Sequence, residues 1–117
     1  KMTVHEKMSG PATTIGELVT PTLLLDRTKL ERNIGRLASR AEELGVVLRP
    51  HMKTAKSIDV AKIAFPGGPG PITVSTIVEA EYFAGHGYHD ITYAVGLSPA
   101  SARRALELHE TQAGAGE

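Results

Sequence analysis

Val46-Val47-Leu48-Arg49-Pro50-His51-Met52-Lys53-Thr54 decides how the chain is read, because as a strand it has two chemically different faces. Side chains alternate across a strand, so Val46, Leu48 and Met52 share one face and Val47, Arg49, His51 and Lys53 the other. The first face suits packing beneath helices. The second carries Arg49, His51 and Lys53 in succession toward the strand's C-terminal end. A strand covered on both sides of a parallel sheet is expected to be apolar throughout, and inward-facing polar groups are costly unless each is paired. Proteins break such local rules at functional sites. In parallel α/β folds the ligands bind at the C-terminal strand ends.

Outward from this stretch the pattern alternates. Thr22 to Asp26 is a short apolar run after Pro21, bounded like a buried strand. Thr28 and Glu31 predict a capping box. Leu30, Ile34, Leu37, Ala38, Ala41 and Leu44 then form one helical stripe, which Gly45 ends. After the strand at 46–53, Ser57 predicts the cap of a short helix containing Ile58, Ala61 and Ala64 and ending at Pro66. Residues 66–71 (Pro-Gly-Gly-Pro-Gly-Pro) read as a loop. Ile72 to Thr76 predicts a third strand, and Thr76 with Glu79 a second capping box for a helix through Phe83, closed by Gly85 and Gly87. Ile91 to Val95 predicts a fourth strand, and Ser98-Pro99 opens a helix over about residues 99–112.

This β-α-β-α-β-α-β-α order implies an α/β fold with parallel βα repeats. An open doubly wound sheet and a (β/α)8 barrel both satisfy it. Residues 1–20 read as a lead-in, 21–113 as the folded part and 114–117 as a frayed tail.

Composition excludes several functions. Lys plus Arg and Asp plus Glu balance at 13 each, and aromatic residues are only 4% of the chain, so neither a basic footprint nor a base-stacking surface for nucleic acid is present. The absence of cysteine rules out disulfides and thiolate metal sites within the chain. No apolar run approaches the roughly 20 residues of a spanning helix, and the N-terminus lacks the apolar core of a secretory signal. These observations lead to the expectation of a cytoplasmic protein acting on a small molecule, without nucleic acid or membrane.

Lys53 is the residue with the most specific chemistry. Partial burial and the cation of Arg49 would favour its neutral form. A neutral amine condenses with an aldehyde to a Schiff base, and pyridoxal phosphate carries such an aldehyde. His51 and Arg49 are placed to serve that cofactor. The residues alone equally allow Lys53 to end a strand at the surface, Arg49 to pair with a carboxylate and His51 to be structural. His86, His89 and Asp90 suggest a metal site less well than a solvated loop. Thr76 is explained by capping, Tyr93 by either pocket lining or packing, and Arg103 and Arg104 by a solvated helix face.

Arg49-Pro50-His51-Met52-Lys53-Thr54 followed by Lys56 resembles the Schiff-base motif of the D-threonine aldolase and D-serine dehydratase family, among the alanine racemase-like, fold type III pyridoxal-phosphate enzymes. Thr20 to Asp26, Ile72 to Thr76 with Glu79-Ala80-Glu81, and Asp90 to Val95 resemble that family's first, third and fourth barrel strands. Ala55 departs from the motif, where the family usually has a second histidine. The resemblance implies the first half, about four βα units, of a TIM-type (β/α)8 barrel. It implies Lys53 as the lysine of the internal aldimine, with His51 and Arg49 as cofactor neighbours, in an enzyme cleaving D-3-hydroxy amino acids to glycine and an aldehyde. Dehydration of D-serine is the alternative chemistry, and a non-catalytic half-barrel binding or assembly protein the alternative class. A divalent metal is implied for the parent enzyme, with ligands outside this chain. Little turnover is expected of the chain alone, and association as a homodimer or with a complementary half is expected.

Overall fold

The computed structural model describes residues 14 to 114. A single 3-10 turn at Ile15–Glu17 precedes helix α1 (Arg27–Glu43), helix α2 (Ile58–Ala64), strand β1 (Ile72–Val74), helix α3 (Ile77–Ala84), strand β2 (Ile91–Tyr93) and helix α4 (Pro99–Gly114). The two strands pair in parallel, Ile72 opposite Ile91 and Val74 opposite Tyr93. A third segment joins them by a bridge from His51 to Thr73. There the Thr73 N–H donates to the Pro50 carbonyl at 2.9 Å and the Met52 N–H to the Thr73 carbonyl at 2.8 Å.

Local signals account for α1, α3 and α4, whereas Ser57 precedes α2 without the side-chain capping bond expected of it. Asp26, not Thr28, caps α1: its carboxylate accepts from the Lys29 N–H at 2.9 Å. An aspartate one residue before the helix does this as well as a threonine, and it moves the start back by a turn fraction. Gly45 follows at φ +64°, the left-handed conformation that closes a helix at lowest cost when there is no Cβ. The Thr76–Glu79 capping box of α3 is formed. Ser98 Oγ accepts from the Ser101 N–H at 3.2 Å and so caps α4, which runs through Gly114.

The core is small and centred on the paired strands. Ile72, Val74, Phe83 and Tyr88 are its large buried side chains, joined by Met52, Ala61 and Ala80. Phe83 and Phe65 each meet Tyr88 edge to face, with ring centroids 5.8 Å and 6.1 Å apart. Gly70 is required here: a Cβ on it would lie 2.3 Å from the Phe65 ring.

Two expected strands are not formed. Residues 22–26 have no strand structure, and Leu23, Leu24 and Leu25 are exposed by 99%, 64% and 62%. Residues 46–53 contribute only the bridge at His51, and Val46 and Val47 stand in solvent. A strand is defined by the ladder it joins, and among the described residues neither segment has a neighbour along its outer edge. The fold is therefore a mixed α/β arrangement with a parallel two-stranded sheet, not four complete βα units. The radius of gyration, 16.8 Å, exceeds the roughly 13 Å of a compact chain of this length. No helix among the described residues is long and apolar enough to cross a membrane.

Candidate functional site

The chain leaves the sheet at Met52, whose side chain is buried, and turns immediately. The Lys56 N–H donates to the Met52 carbonyl at 2.8 Å and closes this turn over Lys53, Thr54 and Ala55. Lys56 has φ +46°, a left-handed backbone that costs a residue with a Cβ about 1–2 kcal/mol. Among the described residues it is the one non-glycine position with positive φ. Such strain persists only where the surroundings over-determine it.

Glu79 supplies part of that constraint. Its side chain is nearly buried, and Lys56 Nζ lies 3.2 Å from Oε1. Among the described residues Oε1 has no partner besides this ammonium. Oε2 accepts from the Ser75 N–H at 2.8 Å and the Thr76 N–H at 3.3 Å. Burial by itself pushes the Glu79 carboxyl up. The Ser75 N–H, Lys56 and the Thr76 N–H together outweigh it and hold the group below the ordinary carboxylate range.

His51 stands beside Lys53. Its Nδ1 accepts from the Lys53 backbone N–H at 3.2 Å, and its Nε2 is 3.3 Å from Ser75 Oγ. An Nδ1 that accepts carries no proton, so the neutral ring has its proton on Nε2 and donates it to Ser75. The imidazole is thus tied to the tips of two adjacent segments. Lys53 itself is exposed, in the turn that follows the bridge residue His51, next to buried Met52.

Arg49 is elsewhere. It reaches the opposite end of the sheet, where its guanidinium donates to the Ile72 carbonyl at 3.3 Å and the Asp90 carbonyl at 3.1 Å, and pairs with the Asp90 carboxylate at 2.7 Å. The side-chain hydrogen bond raises the Arg49 pKa and lowers that of Asp90. The expected crowding of the Lys53 amine by burial and by Arg49 is therefore not present: the lysine is exposed, and the arginine is engaged at the strand starts.

His86 Nδ1 lies 2.7 Å from the Tyr82 carbonyl and donates to it, a C-terminal helix contact. Tyr93 is half-buried and packs on the core. Arg104 is not simply solvated: it clamps Glu81 with contacts of 2.6 Å and 2.8 Å and ties α4 to α3. No three histidine, aspartate or glutamate side chains converge among the described residues. Beside the 51–55 segment runs an apolar groove of about 610 Å³, lined by Leu23, Leu24, Leu25, Ile34, Met52 and Val60 among others. Sequence reading missed the contact of Ser75 with His51, the pairing of Asp90 with Arg49 and the reach of Glu79 to Lys56. Ser75 was detectable from its place at the end of β1.

Fold and site together define a parallel α/β piece with a lysine at a strand tip. No protein-family model matches the chain. Among curated proteins it is similar to a D-threo-3-hydroxyaspartate dehydratase from Delftia sp. (strain HT23), with 44% identity over 81% of the chain and 25% of the relative. It is 35% identical to a D-serine dehydratase from Dictyostelium discoideum over 81% of the chain and 25% of that protein. A 3-hydroxy-D-aspartate aldolase from Paracoccus denitrificans (strain Pd 1222) is 36% identical over 83% of the chain and 26% of its own length. Among solved structures, the Delftia dehydratase superposes with a TM-score of 0.75 at 43% identity, over 81% of this chain and 25% of that one. A C353A mutant of that dehydratase has been solved in a metal-free form. Over most of its length the chain is similar to an N-terminal part of these dehydratases and aldolases. It spans about a quarter of the length of the curated relatives it matches.

Proposed function

We propose that the chain is the cofactor-lysine portion of a pyridoxal-phosphate-dependent lyase acting on D-3-hydroxy amino acids, with Lys53 as the lysine that holds the cofactor. The observation that carries this is an exposed lysine in the turn at the C-terminal tip of the sheet, whose backbone N–H donates to an imidazole that also meets Ser75. It lies within a chain 44% identical to a hydroxyaspartate dehydratase. The donor set fits the aldehyde end of pyridoxal phosphate, which when bound withdraws electrons from the substrate α-carbon.

The chain's own residues would do the following. Lys53 binds the cofactor covalently and carries a proton at its amine. His51 keeps Nε2 toward Ser75 and holds the Lys53 backbone. Arg49 secures the far end of the strands rather than the cofactor. In the whole barrel, residues 22–26 and 46–53 would join the sheet as its first two strands, completing four βα units here. A divalent metal would belong to the parent enzyme through residues outside this chain.

The test is absorbance on adding pyridoxal phosphate: a new visible band is expected with the native sequence and none with Lys53→Ala. An equal band in both would refute the assignment.

A second reading concerns the reaction. Sequence alone favoured retro-aldol cleavage, whereas the greater identity to the dehydratase, 44% against 36% for the aldolase, favours dehydration. With D-3-hydroxyaspartate and the full-length enzyme, dehydration gives ammonia and a 2-oxo acid, and retro-aldol cleavage gives glycine and an aldehyde. Product analysis separates them.

A further inference from the structure

We propose that the Lys56–Glu79 ion pair is a latch that holds the 52–56 turn in the conformation presenting Lys53, which makes Lys56 and Glu79 positioning residues. This rests on the reading of Lys53 as the cofactor lysine.

The turn has one main-chain closure, Lys56 N–H to the Met52 carbonyl at 2.8 Å. Lys56, the donor of that closure, itself sits at φ +46°, a conformation disfavoured for a residue with a Cβ. The Lys56 ammonium reaches 3.2 Å from Glu79 Oε1. Its anchor is rigid, because Glu79 is nearly buried and its other oxygen is fixed by the N–H groups of Ser75 and Thr76. Oε1 has no hydrogen-bond partner of its own, so capping uses Oε2 and leaves Oε1 to the lysine. Ser75 also faces His51. One carboxylate thereby fixes the end of β1, the cap of α3 and the far side of the Lys53 turn. A glutamine at 79 would still accept the two capping N–H groups, but it has no charge for Lys56. Capping and latching can thus be separated.

The experiment uses the 117-residue chain. Amide hydrogen exchange at Lys56 is expected to speed up roughly fivefold in Glu79→Gln and in Lys56→Met, as for loss of a partly exposed ion pair. Lys56→Arg should restore native exchange, and the amides of α3 should not change. In parallel, the protein is treated with pyridoxal phosphate and borohydride, and the label on each lysine is quantified by peptide mapping. Lys53 is expected to outlabel Lys29 and Lys62 in the native sequence, and to lose that preference in Glu79→Gln. Unchanged exchange in Glu79→Gln overturns the latch. Faster exchange with the Lys53 preference intact overturns its positioning role. No preference in the native sequence sinks the cofactor reading itself and the positioning role with it, while the exchange data still report the ion pair independently.

Discussion

Residues 51–93 and residues 22–50 are both rich in apolar side chains, yet they treat them differently. In the first, Ile72, Val74 and Phe83 are fully buried; in the second, Leu23 is 99% and Val47 83% exposed. The difference lies in neighbours. β1 has the His51 segment on one side and β2 on the other, and α3 packs across it. Residues 22–26 have no strand beside them. Apolar sequence becomes core only where a ladder and a covering helix are both present.

The contrast can be broken most forcefully at Phe83. Phe83→Ala is expected to cost about 3–5 kcal/mol, as for a large side chain deleted from a packed core, seen as a lower urea midpoint. Next is Gly70→Ala, whose added methyl meets the Phe65 ring at 2.3 Å. Overpacking of this kind costs about 1–3 kcal/mol. The same assay measures it, and Phe65→Ala in the same chain should relieve it.

Acid should act on the 51–93 region as well. Glu79 and Asp90 have folded-state pKa values below their ordinary 4.5 and 3.8. A lowered carboxyl contributes stability that is complete above its unfolded value and is lost as pH falls through its folded value. Stability monitored by circular dichroism should therefore stay level from pH 7 to 5 and decline from about pH 4.5 downward. Glu79→Gln should flatten part of that decline. The smallest effect belongs to the other region: Leu23→Ser should change the unfolding free energy from the same urea assay by no more than about 0.5 kcal/mol. A loss there comparable to that of Phe83→Ala would erase the distinction.

What could be read from the sequence follows the same division. The cap at Thr76–Glu79, the stop at Gly45 and the start at Ser98 depend on residues within a few positions of each other, and each is found. The strands at 22–26 and 46–53 were not decidable locally, because a strand needs a partner that the segment does not contain. The same holds for the site. Lys53 and His51 stand two residues apart, whereas Lys56 meets Glu79, and Arg49 meets Asp90, only through the crossing of β1 and α3. Arg49 looked like a companion of Lys53 because both fall on one face of a strand. Arg49 is instead held by Asp90 at the strand starts, while Lys53 lies in the turn past the bridge.

The placement of Arg49 has a consequence for how the sheet is stitched. Pro50 and Pro71 stand where the ladder begins, and neither has an N–H to give. The guanidinium fork donates to the main-chain oxygens of Ile72 and Asp90 at that margin, adding a second donor to an Asp90 carbonyl that already accepts the Ile72 N–H at 3.0 Å, so a side chain reinforces the seam between the two strands. A lysine there would keep the charge but lose the planar array of donors. The seam would then open from the end farthest from Lys53.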